Sequence, residues 1–147
     1  MAGWDLFDTP APLVNMASRA LLRLAERRLK PLGFSAGQVP VLYLLRDGGA
    51  LPQKELARLT GVEQPSMAQM LARMERDALV RRTPDPHDRR SSLMSLTEAA
   101  LAKLPALREA LQQGRDALLQ GFSDDEVATL CGLLRRLNGN LDRMIGE

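Results

Sequence analysis

The chain has 147 residues, which suits one domain with an interior large enough to fold without disulfide or metal staples. Apolar residues make up 45% and charged residues 26%, a soluble globular balance, and a single cysteine excludes a disulfide framework within the chain. The sequence shows neither a signal-peptide pattern at its start nor an apolar run long enough to span a bilayer. We therefore expect a cytoplasmic protein without a membrane partner.

Positive charge is concentrated in one short segment. The formal net charge is only +2, but Arg81, Arg82, Arg89 and Arg90 fall within ten residues. Residues 97–147, by contrast, carry six basic and eight acidic groups. A local excess of arginine is typical of a nucleic-acid contact, although charge alone is equally compatible with a solvated loop.

Helix start signals divide the chain into segments. Ser35 with Gln38, and Ser123 with Glu126, have the spacing of capping boxes, and Thr97 is a third candidate N-cap. Glycine and proline residues mark the ends of the predicted helices. These helices cover residues 11–30, 36–47, 53–60, 64–77, 97–120 and 124–145.

Residues 79–96 have a different character. Segments 79–82 and 91–96 suit short strands, and Pro84 and Pro86 between them exclude a helix. The result is a predicted hairpin with an extended tip. Because strands and helices do not alternate, the predicted fold is mainly α with a small β-hairpin.

The two central helices have the spacing of a helix-turn-helix, in which the second helix contacts DNA. In helix 64–77 one face is apolar and is predicted to be buried. The other face carries side chains that can pair with adenine or guanine edges in a major groove, although a solvated polar face is the alternative. The predicted buried face is Met67, Met70, Leu71, Met74 and Ala78; the predicted DNA-contacting residues are Gln64, Pro65, Ser66, Gln69 and Arg73, supported by Gln53 and Lys54 of the preceding helix.

The hairpin tip reads His87-Asp88-Arg89-Arg90. An arginine on a narrow protrusion suits a minor groove, where the electrostatic potential is most negative. Asp88 is placed to accept hydrogen bonds from Arg90 and so hold its guanidinium group. The alternative is a mobile loop with a local ion pair.

Residues 55–100, ELARLTGVEQPSMAQMLARMERDALVRRTPDPHDRRSSLMSLTEAA, resemble the MarR family of bacterial transcriptional regulators. The resemblance implies a winged helix-turn-helix in which helix 64–77 is the recognition helix and the hairpin is the wing. It implies that Arg90 enters the minor groove with Asp88 positioning it, and that Arg82, at the base of the wing, supports wing or phosphate contacts. Arg89, next to Arg90 in the tip, is also predicted to contact DNA. Two positions depart from the family pattern, because Ala78 and Ala100 stand where glycine is usual; the first puts a left-handed helix end in doubt.

The resemblance also implies a homodimer on a pseudo-palindromic operator, acting as a repressor. We expect one domain over residues 1–147, with the DNA-binding module at 36–96 and dimerisation helices within 1–35 and 97–147. Apolar residues recur at helical spacing at both ends of the chain, which fits an intersubunit bundle or ordinary intrachain core. These residues are Leu13, Ala17, Leu21 and Leu24 in the first helix, and Val127, Leu130, Leu134, Leu137, Leu141 and Met144 in the last.

A small aromatic or phenolic effector is a further implication of the resemblance. Its pocket cannot be assigned from the sequence. The arginines that could meet a carboxylate also suit the surface, and the aromatic residues also suit the core; they are Arg19, Arg23 and Arg46, and Trp4, Phe7, Phe34 and Tyr43. Cys131 is expected to be a small buried hydrophobe.

An enzyme is not expected. One histidine and one cysteine exclude a zinc cluster, no phosphate-binding glycine loop is present, and we expect no metal or other cofactor. His87 with neighbouring serine and aspartate residues lies on an exposed tip, where nothing would preorganise a catalytic triad. The alternatives to a ligand-controlled regulator are a DNA-binding regulator without a ligand and a helical protein-interaction module.

Overall fold

A computed structural model of the chain describes residues 5–146. The described residues form two compact units. The first ends at Leu111 and the second begins at Gln112, so that the boundary lies inside a long helix. The mainly helical fold with a small wing is confirmed. The helices are α1 (Pro10–Leu29), α2 (Val39–Leu44), α3 (Gln53–Thr60), α4 (Gln64–Arg76), α5 (Glu98–Leu118) and α6 (Asp124–Ile145), and the strands are β1 (Leu51–Pro52), β2 (Val80–Asp85) and β3 (Asp88–Leu96).

The second predicted helix is shorter than its capping signal indicated. The Ser35–Gln38 capping box is present, but it opens a 3-10 turn, Ala36–Gln38, and α2 then ends at Leu44 rather than near residue 47. Glu26 of α1 accepts a hydrogen bond from the Ala36 backbone N–H at 2.6 Å, which joins this start to α1. Beyond Leu44 the chain turns toward Gly48, whose φ of +81° ends any helical course.

The core of the first unit is built from every helix of that unit and from the sheet. Its fully buried side chains are aliphatic or methionine, in a chain of which only 3% of the residues are aromatic. Gln38, the one buried polar side chain of residues 5–146, uses its amide oxygen to accept from the Ser35 N–H at 3.0 Å. The largest fully buried residues are Leu29, Val41, Leu42, Leu45, Leu56, Met67, Leu71, Met74 and Met94.

The sheet has three antiparallel strands in the order β1-β3-β2. The sequence did not indicate β1, because its two residues are too few to show alternation; Leu51 pairs with Met94. The hairpin strands are longer than predicted. Pro84 lies inside β2 opposite Ser92, and the register shifts between Pro84 and Asp85, which is where a strand tolerates a residue without an N–H.

The junction between α4 and β2 has the left-handed turn that the missing glycine had put in doubt. Ala78 adopts a φ of +57°, and the Leu79 N–H donates to the Met74 carbonyl at 2.8 Å, which closes the helix end. Ala78 is therefore exposed beyond the helix, and its predicted place on the buried face was wrong. Its carbonyl accepts from the Thr97 hydroxyl at 2.6 Å, and the same hydroxyl accepts from the Ala100 N–H at 3.1 Å, so the predicted Thr97 cap is confirmed.

The second unit contains the end of α5 and all of α6. Ser123 and Glu126 form the predicted capping box, with the Ser123 N–H donating to Glu126 Oε1 at 2.9 Å. That hydrogen bond lowers the pKa of the Glu126 carboxyl. Cys131 is exposed in the single chain, so its predicted burial is wrong. Among residues 5–146, no helix combines the length and the apolar character that crossing a membrane requires.

Candidate DNA-binding surface

The helix-turn-helix begins with α3 and α4, joined by a short turn at Gly61. The φ of +71° at Gly61 lets the chain reverse within a few residues. Thr60 ends α3 by donating its hydroxyl to the Leu56 carbonyl at 2.7 Å. Met67, Leu71 and Met74 are fully buried and anchor α4, whereas Met70 is only partly buried.

The opposite face of α4 is open to solvent. The five residues of α4 that were predicted to contact DNA are all exposed: Gln64, Pro65, Ser66, Gln69 and Arg73. Arg73 forms no ion pair within residues 5–146, so its guanidinium group is available to an outside partner. A face of amides, a hydroxyl and an unpaired arginine can donate to and accept from base edges.

The first turn of α3 lies against the first turn of α4. Gln53 is half-buried, and its Nε2 lies 3.4 Å from both the backbone oxygen and the side-chain Oε1 of Gln64. Lys54 beside it is exposed. Further along α3, Arg58 forms an ion pair with Glu55 and lowers the pKa of that carboxyl, so Arg58 is not a free cation.

The wing residues Arg82, Asp88, Arg89 and Arg90 are all exposed. Asp88 Oδ1 accepts from the Arg90 backbone N–H at 2.9 Å. The sequence indicated that Asp88 would hold the Arg90 guanidinium; instead it closes the turn through the backbone, and within the described residues the guanidinium has no ion-pair partner. An Asp two residues before its donor forms an Asx turn, a geometry that competes with the side-chain pairing.

An ion pair joins the wing to the recognition helix. Arg82 Nε in β2 donates to Glu75 Oε2 in the last turn of α4 at 3.2 Å. Sequence reasoning missed Glu75, because its partner is seven residues away and across a turn. Arg82 is opposite Met94, and side chains at alternate positions of β3 share a face. Ser92 therefore lies on the hairpin face that carries Arg82 and meets α4, and Arg90 follows beyond the register shift, near the tip of the wing.

The wing also carries an open cavity of about 370 Å³. It is lined by Arg82, Thr83, Pro84, Arg89, Ser91 and Ser92. Its two guanidinium groups and two serine hydroxyls are donors of the kind that meet phosphate oxygens. Over residues 64–96 the chain has six arginines against Glu75, Asp77, Asp85 and Asp88, so the segment is net positive.

The residues considered for an effector are scattered. The guanidinium carbon of Arg46 lies 3.9 Å from the centroid of the Tyr43 ring. The Nη2 atom of Arg46 lies 3.8 Å from Asp47 Oδ2. Phe34 is buried in the core, whereas Phe7 and Tyr43 are exposed. Arg19 and Arg23 are exposed on α1, and Trp4 lies outside the described residues. Among the candidates that lie within residues 5–146, the structure thus brings Tyr43 and Arg46 together.

This architecture defines a class: a winged helix-turn-helix protein with an exposed polar recognition helix beside an arginine-bearing wing. Comparison with known proteins gives the family. The model of the MarR family matches residues 32–91. The HTH-type transcriptional regulator YwoH of Bacillus subtilis is 30% identical over 122 residues, covering 83% of this chain and 88% of YwoH.

Solved structures agree. A cysteine-to-serine variant of MarR from E. coli, complexed with operator DNA, is 31% identical, with a TM-score of 0.81 and coverage of 90% of this chain and 98% of that one. BpsR of Bordetella bronchiseptica, whose DNA binding is regulated by 6-hydroxynicotinic acid, has the same fold, with a TM-score of 0.84 at 22% identity and coverage of 92% and 96%. The chain belongs to the MarR family, whose members are transcriptional regulators and not enzymes.

Proposed function

We propose that this protein is a cytoplasmic, homodimeric repressor that binds a pseudo-palindromic operator and is released from it by a small aromatic or phenolic ligand. The observation that carries the DNA-binding part is the Glu75–Arg82 ion pair, which ties the wing to α4. With this link, Gln69 and Arg73 of α4 meet a major groove while Arg90 reaches the adjacent minor groove. Arg82, Arg89 and Lys54 contact phosphates.

Selection of bound duplexes from the host genome tests this part. The protein is expected to enrich fragments that share an inverted repeat, with half-sites centred about one helical turn, roughly 34 Å, apart. Affinity for the enriched duplex is expected to fall at least about tenfold between roughly 50 and 200 mM salt, because phosphate contacts release counterions. A helical protein-interaction module would enrich no sequence.

The base contacts are tested by two variants and a matched control. Gln69→Ala and Arg73→Ala are each expected to change base preference in a randomised operator library, by the ~1–3 kcal/mol that a base contact contributes. Arg108→Ala removes the same charge from an exposed position on α5 and is expected to leave the preference intact. If both α4 variants keep the wild-type base preference, residues other than Gln69 and Arg73 contact the bases.

The dimer rests on apolar side chains that the single chain leaves uncovered. On α1, Leu13, Leu21 and Leu24 are 44–50% exposed, and on α6, Leu130, Leu134 and Leu141 are 38–43% exposed. Exposed leucines in helical register favour burial against a second copy. Leu141→Arg is expected to give a monomer by sedimentation, whereas Arg136→Ala on the same helix leaves the dimer; a dimeric Leu141→Arg would move the interface elsewhere.

The ligand part rests on the likeness to BpsR and on the Tyr43–Arg46 pair, in which a ring and a cation lie together near the end of α2. A ligand can release DNA only if it binds the free conformation more tightly than the bound one. A panel of small aromatic acids titrated into the protein–operator complex is expected to contain one that lowers operator affinity. Constant affinity across the panel would favour a regulator without a ligand.

A further inference from the structure

The tip of the wing is a two-residue turn that carries the one histidine of the chain. Asp85 at the end of β2 pairs with Asp88 at the start of β3, and Pro86 and His87 lie between them. The backbone N–H of His87 donates to Asp85 Oδ1 at 2.9 Å, which closes the turn. His87 is therefore held beyond the last paired residues of the hairpin.

The imidazole of His87 has no partner in the described part of the protein. The residue is exposed, and within residues 5–146 its side chain forms neither a hydrogen bond nor an ion pair. The charged groups that adjoin the turn on its two strands are Asp85, Asp88, Arg89 and Arg90, two of each sign. Because these charges balance and none of them pairs with the imidazole, a charged partner outside the protein can change its protonation.

A DNA duplex is a partner with a strong negative potential. A histidine side chain ordinarily exchanges its proton near pH 6.5, so that most of it is neutral at about pH 7.5. Negative charge close to an imidazole favours the protonated form. The minor groove and the phosphates along its edges supply such charge. In the proposed complex, Arg90 enters this groove from the same tip that carries His87.

We propose that His87 is a further DNA-contacting residue and that it meets the duplex as the imidazolium, so that operator binding takes up protons. This inference rests on the proposed DNA-binding function. Because the protonated form binds more tightly, operator affinity is highest at the acid end of the imidazole titration and falls as the pH rises through it. The wing thus makes the affinity respond to pH between about 6 and 8, where carboxylates and arginines ordinarily keep their charges.

Operator affinity between about pH 6 and 8, measured by fluorescence anisotropy at one low salt concentration, tests the proposal. The wild-type dimer is expected to bind at least about fivefold more tightly at pH 6 than at pH 8, because each of its two wings contributes. His87→Gln keeps a polar side chain that does not titrate, and its affinity is expected to be the same at both pH values. His87→Lys stays protonated throughout and is expected to bind more tightly than His87→Gln, again without a pH dependence.

Calorimetry counts the protons directly. Titrations of operator at pH 7 in buffers of different ionisation enthalpy are expected to show uptake of ~0.5–1 proton by the wild-type dimer and none by His87→Gln. The same titrations with non-operator DNA identify the source of the negative charge. Equal uptake assigns the contact to phosphates, which every duplex has, and uptake on the operator alone assigns it to the minor groove of that sequence.

Two controls separate His87 from other groups. Lys54→Gln removes a cation elsewhere on the proposed surface and is expected to weaken binding by the same factor at each pH. Cys131→Ser removes the thiol, the other side chain that ordinarily titrates near this range, and is expected to keep the wild-type pH dependence. A pH dependence that persists in His87→Gln would overturn the inference.

The outcomes also separate this inference from the function on which it depends. If the wild type selects no operator, the proposed function fails. If the wild type selects an operator but binds it equally at pH 6 and pH 8 without proton uptake, this inference alone fails. The wing would then contact DNA without the imidazolium of His87.

Discussion

Glu75 in the last turn of α4 accepts a hydrogen bond from Arg82 in β2, with 3.2 Å between Oε2 and Nε. The side chains are 44% and 40% exposed, so this ion pair contributes at most about 1 kcal/mol to the folded state. Its importance is geometric, because it is a direct side-chain link between the recognition helix and the wing. In the proposed complex, the recognition helix and the wing meet neighbouring grooves of one duplex.

Removal of the Glu75 carboxylate is predicted to reduce the discrimination between operator and non-operator DNA rather than the total affinity for DNA. Glu75→Ala deletes a negative charge near DNA, which favours all duplexes, but it frees the wing. The ratio of operator to non-operator affinity, measured at one salt concentration by fluorescence anisotropy, is expected to fall about two- to fivefold.

Asp77→Ala is the matched control for that change. Asp77 is exposed, lies two residues further on, and forms no ion pair within the described residues. Its removal is expected to raise affinity for both duplexes and leave their ratio constant. An equal ratio in the Glu75 and Asp77 variants would show that the link does not orient the wing.

The left-handed backbone at Ala78 predicts that replacing this residue with glycine stabilises the folded protein. Its φ of +57° places an L-residue in the left-handed region, at a cost of roughly 1–2 kcal/mol. Ala78→Gly removes that strain and loses ~0.4–1 kcal/mol through the freer unfolded chain, so the free energy of unfolding in urea is expected to rise by about 0.5–1 kcal/mol. Ala72→Gly, inside α4, is expected to lower it by about 1 kcal/mol; a loss at both positions would refute the strain argument.

The sequence predicted best where local chemistry decides the structure. The caps at Thr97 and Ser123, and the bounds of α3, follow from hydrogen bonds or breaks within a few residues. Contacts that depend on tertiary placement were missed. β1 forms only because Leu51 meets Met94, and Glu75 is linked to Arg82 only after the chain turns at Ala78.

The exposed surfaces show the same limit. Helical periodicity predicted which side of α4 is polar, and none of the five residues chosen there belongs to the buried core. Periodicity does not distinguish an intrachain core from an interface, so Cys131, beside the apolar residues of α6, was wrongly assigned to the interior. The backbone turn at Asp88 was likewise hidden, since the sequence shows a carboxylate and an arginine but not which donor the carboxylate meets.

The Glu126 capping box predicts a pH dependence with a defined sign. The Ser123 backbone and side chain lower the pKa of the Glu126 carboxyl in the folded chain, so the unfolded state binds its proton first as the pH falls. The stabilisation is therefore complete above the unfolded pKa of about 4.3 and disappears as the pH drops through the lower folded value.

Unfolding curves of the wild type and Glu126→Gln between about pH 3 and 7 measure this effect, at one protein concentration because a dimer unfolds in a concentration-dependent way. The wild type is expected to be the more stable protein at neutral pH, with the difference shrinking below about pH 4. A difference that stays constant across the range would exclude the carboxylate as its source.

The central claim is that α4 and the wing form one DNA-contacting surface, with Arg82 on the hairpin face that meets α4 and Arg90 near the tip of the wing. Arg81 belongs to the same hairpin but alternates with Arg82 and so lies on the other face. The two arginines carry the same charge, which makes them a matched pair.

The most direct measurement compares operator affinity in Arg90→Ala and Arg81→Ala, with sedimentation to establish that both dimers are intact. The account predicts at least about tenfold weaker binding for Arg90→Ala, or ~1.4 kcal/mol, and a much smaller change for Arg81→Ala. Equal affinities for Arg90→Ala and the wild type, or a larger loss in Arg81→Ala, would contradict it.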